Sequence, residues 1–448
     1  MEIKQFEDKN LSHFSYAVLS GGEIALVDPA RNPQPYYDFA KQHNAKITAV
    51  IETHPHADFV SSHLEIHLHV GAVIYAGKLT EAEYPHRHFD DEDTVQAGQV
   101  LLKAINTPGH SPDSICIVAI DETGKEQAVF TGDTLFIGDC GRPDLREQAG
   151  NPATKRETLA KQLYHSLRTK LGGLSDDIVV YPAHGAGSLC GKLLSAKNCS
   201  TMGEERISNW SLQNITEEEF VNELLAEQPF IPKYFSFNVA LNKKGAPPFN
   251  ESISRALKYK AGRPFDFPKN SPITIIDTRP QEQFKKAHMP HAINLMNGAK
   301  FETWLGSIIH PNEAFCLIAE NEMVLGDLTE RTAKIGYESQ LKGAFVSDGG
   351  NASTDVFNAD ALKDNPQAFT IIDVRNASET KHNKIFPNSI NIPLHELRER
   401  VNEIPLDKAI VVHCAGGYRS AGGSSIIKAK VNGSQQVFDV GEAILEFQ

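Results

Sequence analysis

Apolar residues fall in short runs along the first half of the chain. Each run ends in a loop marked by glycine, proline, histidine or aspartate. The runs at 24–27, 47–51, 101–105, 128–130 and 178–181 have strand length and, in most cases, β-branched content. They lead into Asp28-Pro29, the His54 loop, Thr107-Pro108-Gly109-His110, Asp133 and Pro182-Ala183-His184-Gly185. Strands that all end in polar loops place those loops on one rim of an α/β scaffold, where a site is expected. This pattern fills residues 1–228 and predicts one domain.

Residues 229–262 are richer in proline, lysine and asparagine and read as a linker or an arm. Beyond them the pattern repeats. Thr274-Ile275-Ile276-Asp277-Thr278-Arg279 recurs as Thr370-Ile371-Ile372-Asp373-Val374-Arg375, and Pro290-His291-Ala292-Ile293-Asn294 recurs as Pro387-Asn388-Ser389-Ile390-Asn391. The separation exceeds the roughly 20–50 residues of solenoid repeats. Two tandem α/β domains, 263–358 and 359–448, are expected.

Composition narrows the function. A chain of 448 residues can bury several cores. A net charge of −13 argues against nucleic acid, which needs a basic face. No apolar run reaches the length of a membrane span. The opening Met1-Glu2-Ile3-Lys4-Gln5-Phe6-Glu7-Asp8 has no basic-then-apolar plan. The six cysteines are scattered without Cys-x-x-Cys, so a reduced, cytoplasmic setting is expected, with individual thiols available for chemistry. A homo-oligomer is also expected.

The second repeat carries Val411-Val412-His413-Cys414-Ala415-Gly416-Gly417-Tyr418-Arg419-Ser420. This is a strand, then Cys-x-x-x-x-Arg, then a helix start. Backbone N–H groups, Arg419 and the helix dipole would stabilise a thiolate or a persulfide at Cys414. Gly416 and Gly417 allow the tight loop, and with Tyr418 they are expected to contact the substrate. In the first repeat, strand alignment puts Glu320 at the nucleophile position, with Cys316 packed inside the strand. A Cys/Arg phosphatase is the rival reading, but its loop is one residue longer. Cys199 is a possible sulfur relay, or an inert thiol; Cys190 reads as structural and Cys140 as a packed loop thiol.

Three metal-type signals mark the first domain: His54-Pro55-His56-Ala57-Asp58-Phe59, Thr107-Pro108-Gly109-His110 and Thr131-Gly132-Asp133-Thr134. Together they resemble the metallo-β-lactamase superfamily. The implied fold is an αββα sandwich, here followed by two domains that resemble rhodaneses, the first degenerate and the second active. The loop departs from that superfamily at Phe59, where a second-metal histidine would stand. A phenyl ring cannot ligate, so one metal is implied. The stretch from Thr131 through Gly141-Arg142-Pro143-Asp144-Leu145 is similar to the persulfide dioxygenases. That resemblance implies His54, His110 and Asp133 as ligands of one Fe(II) per chain. Two imidazoles and a carboxylate on one face suit non-haem iron. His56, Asp58 and His184 then orient ligands and water. Arg142 binds an anionic substrate or pairs with Asp139 or Asp144.

The implied activity is oxidation of a thiol persulfide to sulfite with O₂, coupled to sulfur transfer through Cys414 to or from sulfite and thiosulfate. Two alternatives stand beside it: a zinc thioester hydrolase of the glyoxalase II type, and a sulfur-trafficking or sensing protein with a structural metal.

Overall fold

A computed structural model of the chain describes residues 1–145, 152–255, 258–259, 273–347, 349–431 and 433–448. Residues 256–257 and 260–262 of the expected linker, and 263–272 at the expected start of the first repeat, lie outside the described residues. The chain divides into two compact units: Met1–Glu251 with Ala333–Gly336, and Ser252–Thr332 with Tyr337–Gln448.

The first unit holds two six-stranded sheets. One runs in the order Glu2–Asp8, His13–Ser20, Glu23–Val27, Lys46–Glu52, Val73–Ala76, Arg87–His88. The other runs Ser200–Thr201, Val179–Pro182, Glu126–Gly132, Ile115–Ile120, Val100–Asn106, Thr94–Ala97. The five expected strands all form and lie in the interiors of these sheets.

Their alternation explains the layering. Strand side chains point to opposite faces in turn. Ala25, Val27, Ala49 and Ile51 meet Ile115, Ile117, Ala128 and Phe130 in the core between the sheets. The intervening Ile24, Leu26 and Val50 face the other way, against Tyr36, Phe39 and Ile66 of helices Gln34–Gln42 and His63–Val70. On the second sheet Cys116, Val118 and Val129 pack under Ala160 and Leu163 of helix Pro152–His165. The order is helix, sheet, sheet, helix, as the αββα expectation required. Each fully buried Val, Leu, Ile or Phe contributes roughly 1.5–3 kcal/mol of transfer free energy.

Helix Phe235–Lys244 lies in the segment whose composition suggested a linker or arm. Its Asn242 is 2% exposed. The Asn242 amide donates to the carbonyls of His56 and Phe59, both at 2.8 Å, and accepts from the Ser61 N–H at 2.9 Å. One side chain therefore satisfies three backbone groups of the loop that follows strand Lys46–Glu52.

The second unit contains two parallel sheets with one plan. The first runs Lys258–Tyr259, Leu341–Val346, Phe315–Ala319, Thr274–Asp277, Ile293–Asn294. The second runs Ile390–Asn391, Phe369–Asp373, Ala409–His413, Val437–Asp439, the same order without the additional short edge strand. The repeated residues do the same work in each. Arg279 pairs with Asp277 through Nε (3.0 Å) and Nη2 (2.6 Å) and donates to the Ala287 carbonyl at 2.9 Å. Arg375 pairs with Asp373 at the same two distances and donates to the Asn383 carbonyl at 2.9 Å. Asn294 and Asn391 each donate to the carbonyls of their own Asp and Arg. The recurring sequence is thus a bracket that ties the strand end to the next helix and the next strand. Among the described residues no helix is long and apolar enough to cross a membrane.

Two stability predictions result. Arg279→Leu strands the buried Asp277 carboxylate, which costs about 3–5 kcal/mol. Hydrogen exchange read by mass spectrometry should accelerate in strand Thr274–Asp277 and stay unchanged in strand Glu126–Gly132. Asn242→Ala leaves three loop groups without their partner, at about 1–3 kcal/mol for each buried group. The melting temperature should fall and exchange should quicken across residues 54–61; unaltered exchange there would show that other contacts hold the loop.

Candidate metal centre and cysteine loop

The rim of the first unit gathers His54, His110 and Asp133 from three strand ends. All three are buried, and their ligand-type atoms lie within 4.8 Å of one another. Asp133 Oδ2 sits 3.5 Å from His110 Nε2 and 3.8 Å from His54 Nε2. That oxygen is buried and has no hydrogen-bond partner. Two nitrogens and a bare carboxylate oxygen facing one point fit a metal ion.

Each ligand is aimed by a group behind it. His110 Nδ1–H donates to the Arg142 carbonyl at 2.8 Å, which turns its Nε2 lone pair toward Asp133. His54 Nδ1 bonds Thr53 Oγ1 at 3.1 Å, and that hydroxyl donates to Asp28 Oδ2 at 2.8 Å. With its proton given to Asp28, Thr53 Oγ1 accepts from His54 Nδ1–H. Asp133 Oδ1 accepts from His184 Nδ1 at 2.7 Å, and His184 Nε2 lies 2.7 Å from Asp58 Oδ2. One carboxylate oxygen of Asp133 is thus spent on His184 and the other faces the two histidines.

Two glycines make this approach possible. Gly132 has φ +50°, and a Cβ there would meet Thr53 Oγ1 at 2.6 Å. A Cβ on Gly141 would fall 1.9 Å from the Asp133 carbonyl and 2.9 Å from His110 Nδ1.

The electrostatics follow from burial. Burial alone would raise the Asp133 carboxyl. The charge and hydrogen bond of His184, with His110 and His54, override it and hold the group well below the usual carboxylate range. Burial lowers His184, but Asp133 and Asp58 together carry it well above the usual imidazole value. His13 has no carboxylate partner at bonding distance. Burial, then His184 and His56, press it well below that value.

Phe59 fills the neighbouring space. Its ring centroid lies 3.7 Å from His13, 4.4 Å from His56 and 6.5 Å from His184. His56 is 3.2 Å from Asp28 and also falls in a group with Asp133 and His184. Cys190 lies with Asp58 and His184, and burial pushes its thiol well up. Arg142 is 1% exposed and bidentate to Asp144 at 2.6 Å twice, with Nη1 on the Leu189 carbonyl. Its guanidinium shapes the loop and has no open face for a substrate. Cys199 is exposed and stands outside the metal-type clusters, and Cys140 is buried.

In the second unit, Cys414 follows strand Ala409–His413 and precedes helix Tyr418–Val431. Its side chain is buried, and Sγ accepts from the Gly417 N–H at 3.1 Å. Gly417 has φ +97°, and a Cβ there would lie 3.1 Å from the Gly441 carbonyl carbon and from the Glu442 nitrogen. Gly416 is exposed at the loop tip. Tyr418 points away from the loop and donates to the Met296 carbonyl of the first repeat at 2.9 Å. Arg419 is bidentate to Glu379. In the first repeat only Glu320 and Asn321 separate strand Phe315–Ala319 from helix Glu322–Lys334. Cys316 is buried within that strand, and burial pushes its thiol up to about 12.

Sequence reasoning missed His13, Asn242 and Glu379 as parts of these sites. His13 and Asn242 belong to no spaced motif. Asp28 carried a weak signal as the polar end of a strand.

The Metallo-beta-lactamase superfamily pattern matches residues 9–184, and the Rhodanese-like domain pattern matches 266–352 and 358–447. Human mitochondrial persulfide dioxygenase ETHE1 is 31% identical over 201 residues, which span 44% of this chain and 70% of that protein. Hydroxyacylglutathione hydrolase of Francisella philomiragia subsp. philomiragia is 30% identical over 186 residues, 41% of this chain and 68% of that protein. These two relatives are equally close. A crystal structure of a metallo-beta-lactamase from Staphylococcus aureus subsp. aureus COL is 30% identical with a TM-score of 0.69, and the match covers 77% of this chain and 99% of that one. The chain belongs to the metallo-beta-lactamase superfamily, with its catalytic-type domain fused to two rhodanese-like domains.

Proposed function

We propose that the first domain oxidises the sulfane sulfur of a low-molecular-weight thiol persulfide to sulfite, and that Cys414 carries sulfane sulfur to or from that sulfite. In balance, a persulfide, O₂ and water give the thiol and sulfurous acid. The observation that carries the reading is the His54, His110 and Asp133 group, with the Phe59 ring tilted against His13 and His56 beside it. His54, His110 and Asp133 would hold a single Fe(II). When bound there, the ion supplies redox chemistry with O₂ and a Lewis-acid site for the terminal sulfur. His184 and Asp58 hold the carboxylate in place, and Asn242 holds the loop. Phe59 keeps water and a further cation from the space beside the histidines. Six cysteines without a disulfide suit a reduced, cytoplasmic setting.

At the second site the Cys414 thiolate attacks the outer sulfur of thiosulfate. An Sγ–S bond forms, the S–S bond of thiosulfate breaks, and sulfite leaves with the electron pair. The reverse step makes thiosulfate. Within this reading the domains run 1–228, 263–358 and 359–448, and residues 229–262 form an arm.

A second reading is a metal-dependent thioester hydrolase. It is favoured by the His56, Asp133 and His184 group, which could take another metal, and by the likeness to hydroxyacylglutathione hydrolases.

Metal analysis and oxygen consumption separate the two. Protein made with ample iron should hold about one iron per chain, since three ligands with open positions suit non-haem Fe(II). It should consume O₂ with a thiol persulfide. Two zinc ions per chain with thioester hydrolysis would establish the rival. Asp133→Ala and His110→Ala should abolish O₂ uptake and leave thiosulfate-to-cyanide transfer intact. Cys414→Ser should still consume O₂ while its product shifts from thiosulfate to sulfite, because a serine hydroxyl cannot carry a persulfide. Chromatography of bimane-labelled products reads the shift. Unchanged thiosulfate would move the transfer step to another thiol, with exposed Cys199 the first to test. Cys316→Ser should leave the product ratio alone.

A further inference from the structure

The two rhodanese-like copies provide a control within one chain. Both keep the Asp–Arg–Asn bracket that the fold needs. Helices Gln281–Lys286 and Ala377–His382 occupy equivalent places after it. At the third residue of that helix the first copy has Gln283 and the second has Glu379. The first copy also has Glu320 for the cysteine, and no basic residue from Glu320 to Leu325. Cysteine, arginine and glutamate are therefore present together in one copy and absent together in the other. The fold stands without all three, so the Glu379–Arg419 pair belongs to the chemistry.

The geometry shows what the pair does. Glu379 accepts from both Nη1 and Nη2 of Arg419, and from the Asn376 N–H at 3.0 Å. The carboxylate is thereby pinned to the first turn of its helix. A guanidinium has five N–H donors in a rigid fork, and the carboxylate takes one edge of it. The other N–H groups of Arg419 have no hydrogen-bond partner among the described residues. Burial works against the Arg419 charge; the Glu379 carboxylate overrides it and raises the guanidinium, and Cys414 is near enough for a thiolate there to add to the effect. Tyr418 is turned away to Met296, and Sγ takes its hydrogen bond from Gly417. Arg419 is thus the one cation that the described loop, residues 414–419, presents.

We propose that Glu379 is a positioning residue for sulfur transfer: it fixes Arg419 so that the unused edge of the guanidinium receives the oxygens of a sulfur oxoanion, thiosulfate on entry or sulfite on exit. This rests on the sulfurtransferase reading of Cys414. Glu379 keeps the arginine rigid and prevents it from closing onto the thiolate.

Glu379→Gln keeps the shape and removes the charge. In steady-state thiosulfate-to-cyanide transfer by the full chain, it should raise the thiosulfate KM about tenfold with kcat within about twofold, the pattern of lost anion binding. Glu379→Asp keeps the charge but retracts it by one methylene, so its KM should fall between the two; it also serves if the glutamine variant does not fold. A second readout does not depend on turnover. Sulfite should protect Cys414 from iodoacetamide, followed by mass spectrometry of its peptide, and half-protection should need about tenfold more sulfite in Glu379→Gln, equal to a tenfold weaker Kd. The unprotected alkylation rate should not change. Unaltered KM and protection in folded variants would overturn the proposal. A fall in kcat alone with faster alkylation would overturn it too, by showing a loosened loop. If the wild type transfers no sulfur from thiosulfate, the sulfurtransferase reading fails, and the protection experiment still decides what Glu379 does.

Discussion

The first unit is organised around one buried carboxylate. Taking an ionised Asp out of water costs several kcal/mol unless charge and hydrogen bonds replace its hydration. Asp133 is 1% exposed, and its two oxygens solve the problem in different ways. Oδ1 takes the His184 N–H, while Oδ2 faces His54 and His110 without a hydrogen bond of its own. Each imidazole is then held from behind: His184 beside Asp58, His54 by Thr53 and Asp28, His110 by the Arg142 carbonyl. Arg142 needs Asp144, and the bare approach of Gly132 and Gly141 leaves no room for a side chain. The strand ends converge because this network must close around the carboxylate.

That logic explains what could be read in the sequence. The metal-type motifs are local, with ligand and neighbours a few residues apart, so His54, His110 and Asp133 were visible as candidates. The inner strands were visible as continuous apolar runs because both of their faces are buried. The Asp–Arg–Asn bracket was visible because it occurs twice. Asn242 was hidden, because it serves the His56–Ser61 backbone across a long stretch of chain and the composition around it resembles a linker. His13 was hidden because a lone histidine at a strand start carries no spacing signal. Arg142 had two readings of equal merit, and only geometry separates a guanidinium paired with Asp144 from one open to a ligand.

The degenerate repeat shows how chemistry and fold divide within one architecture. Glu320 and Asn321 bridge strand and helix where the second copy uses Cys414 to Gly417. A shorter bridge removes the turn of N–H groups that could face an anion, and an acidic side chain at its start repels one. The sheet beneath is unaffected, since its bracket lies at the neighbouring strand end.

The two candidate sites meet one electrostatic problem with opposite means. At the metal centre a fixed negative charge, Asp133, is surrounded by imidazoles that can share it with a cation. In the proposed sulfur transfer, the negative charge at the cysteine loop comes and goes with the sulfur species. A guanidinium free to swing there would close onto the thiolate instead of meeting the oxoanion. Pairing Arg419 with Glu379 fixes its N–H donors in place. Backbone N–H groups such as that of Gly417 then carry the changing charge at Sγ. They are dipoles fixed by the fold, so they need no rearrangement as sulfur arrives or leaves. A loop built of glycines with one fixed arginine is therefore the arrangement that the proposed sulfur carrier, which must release what it binds, requires.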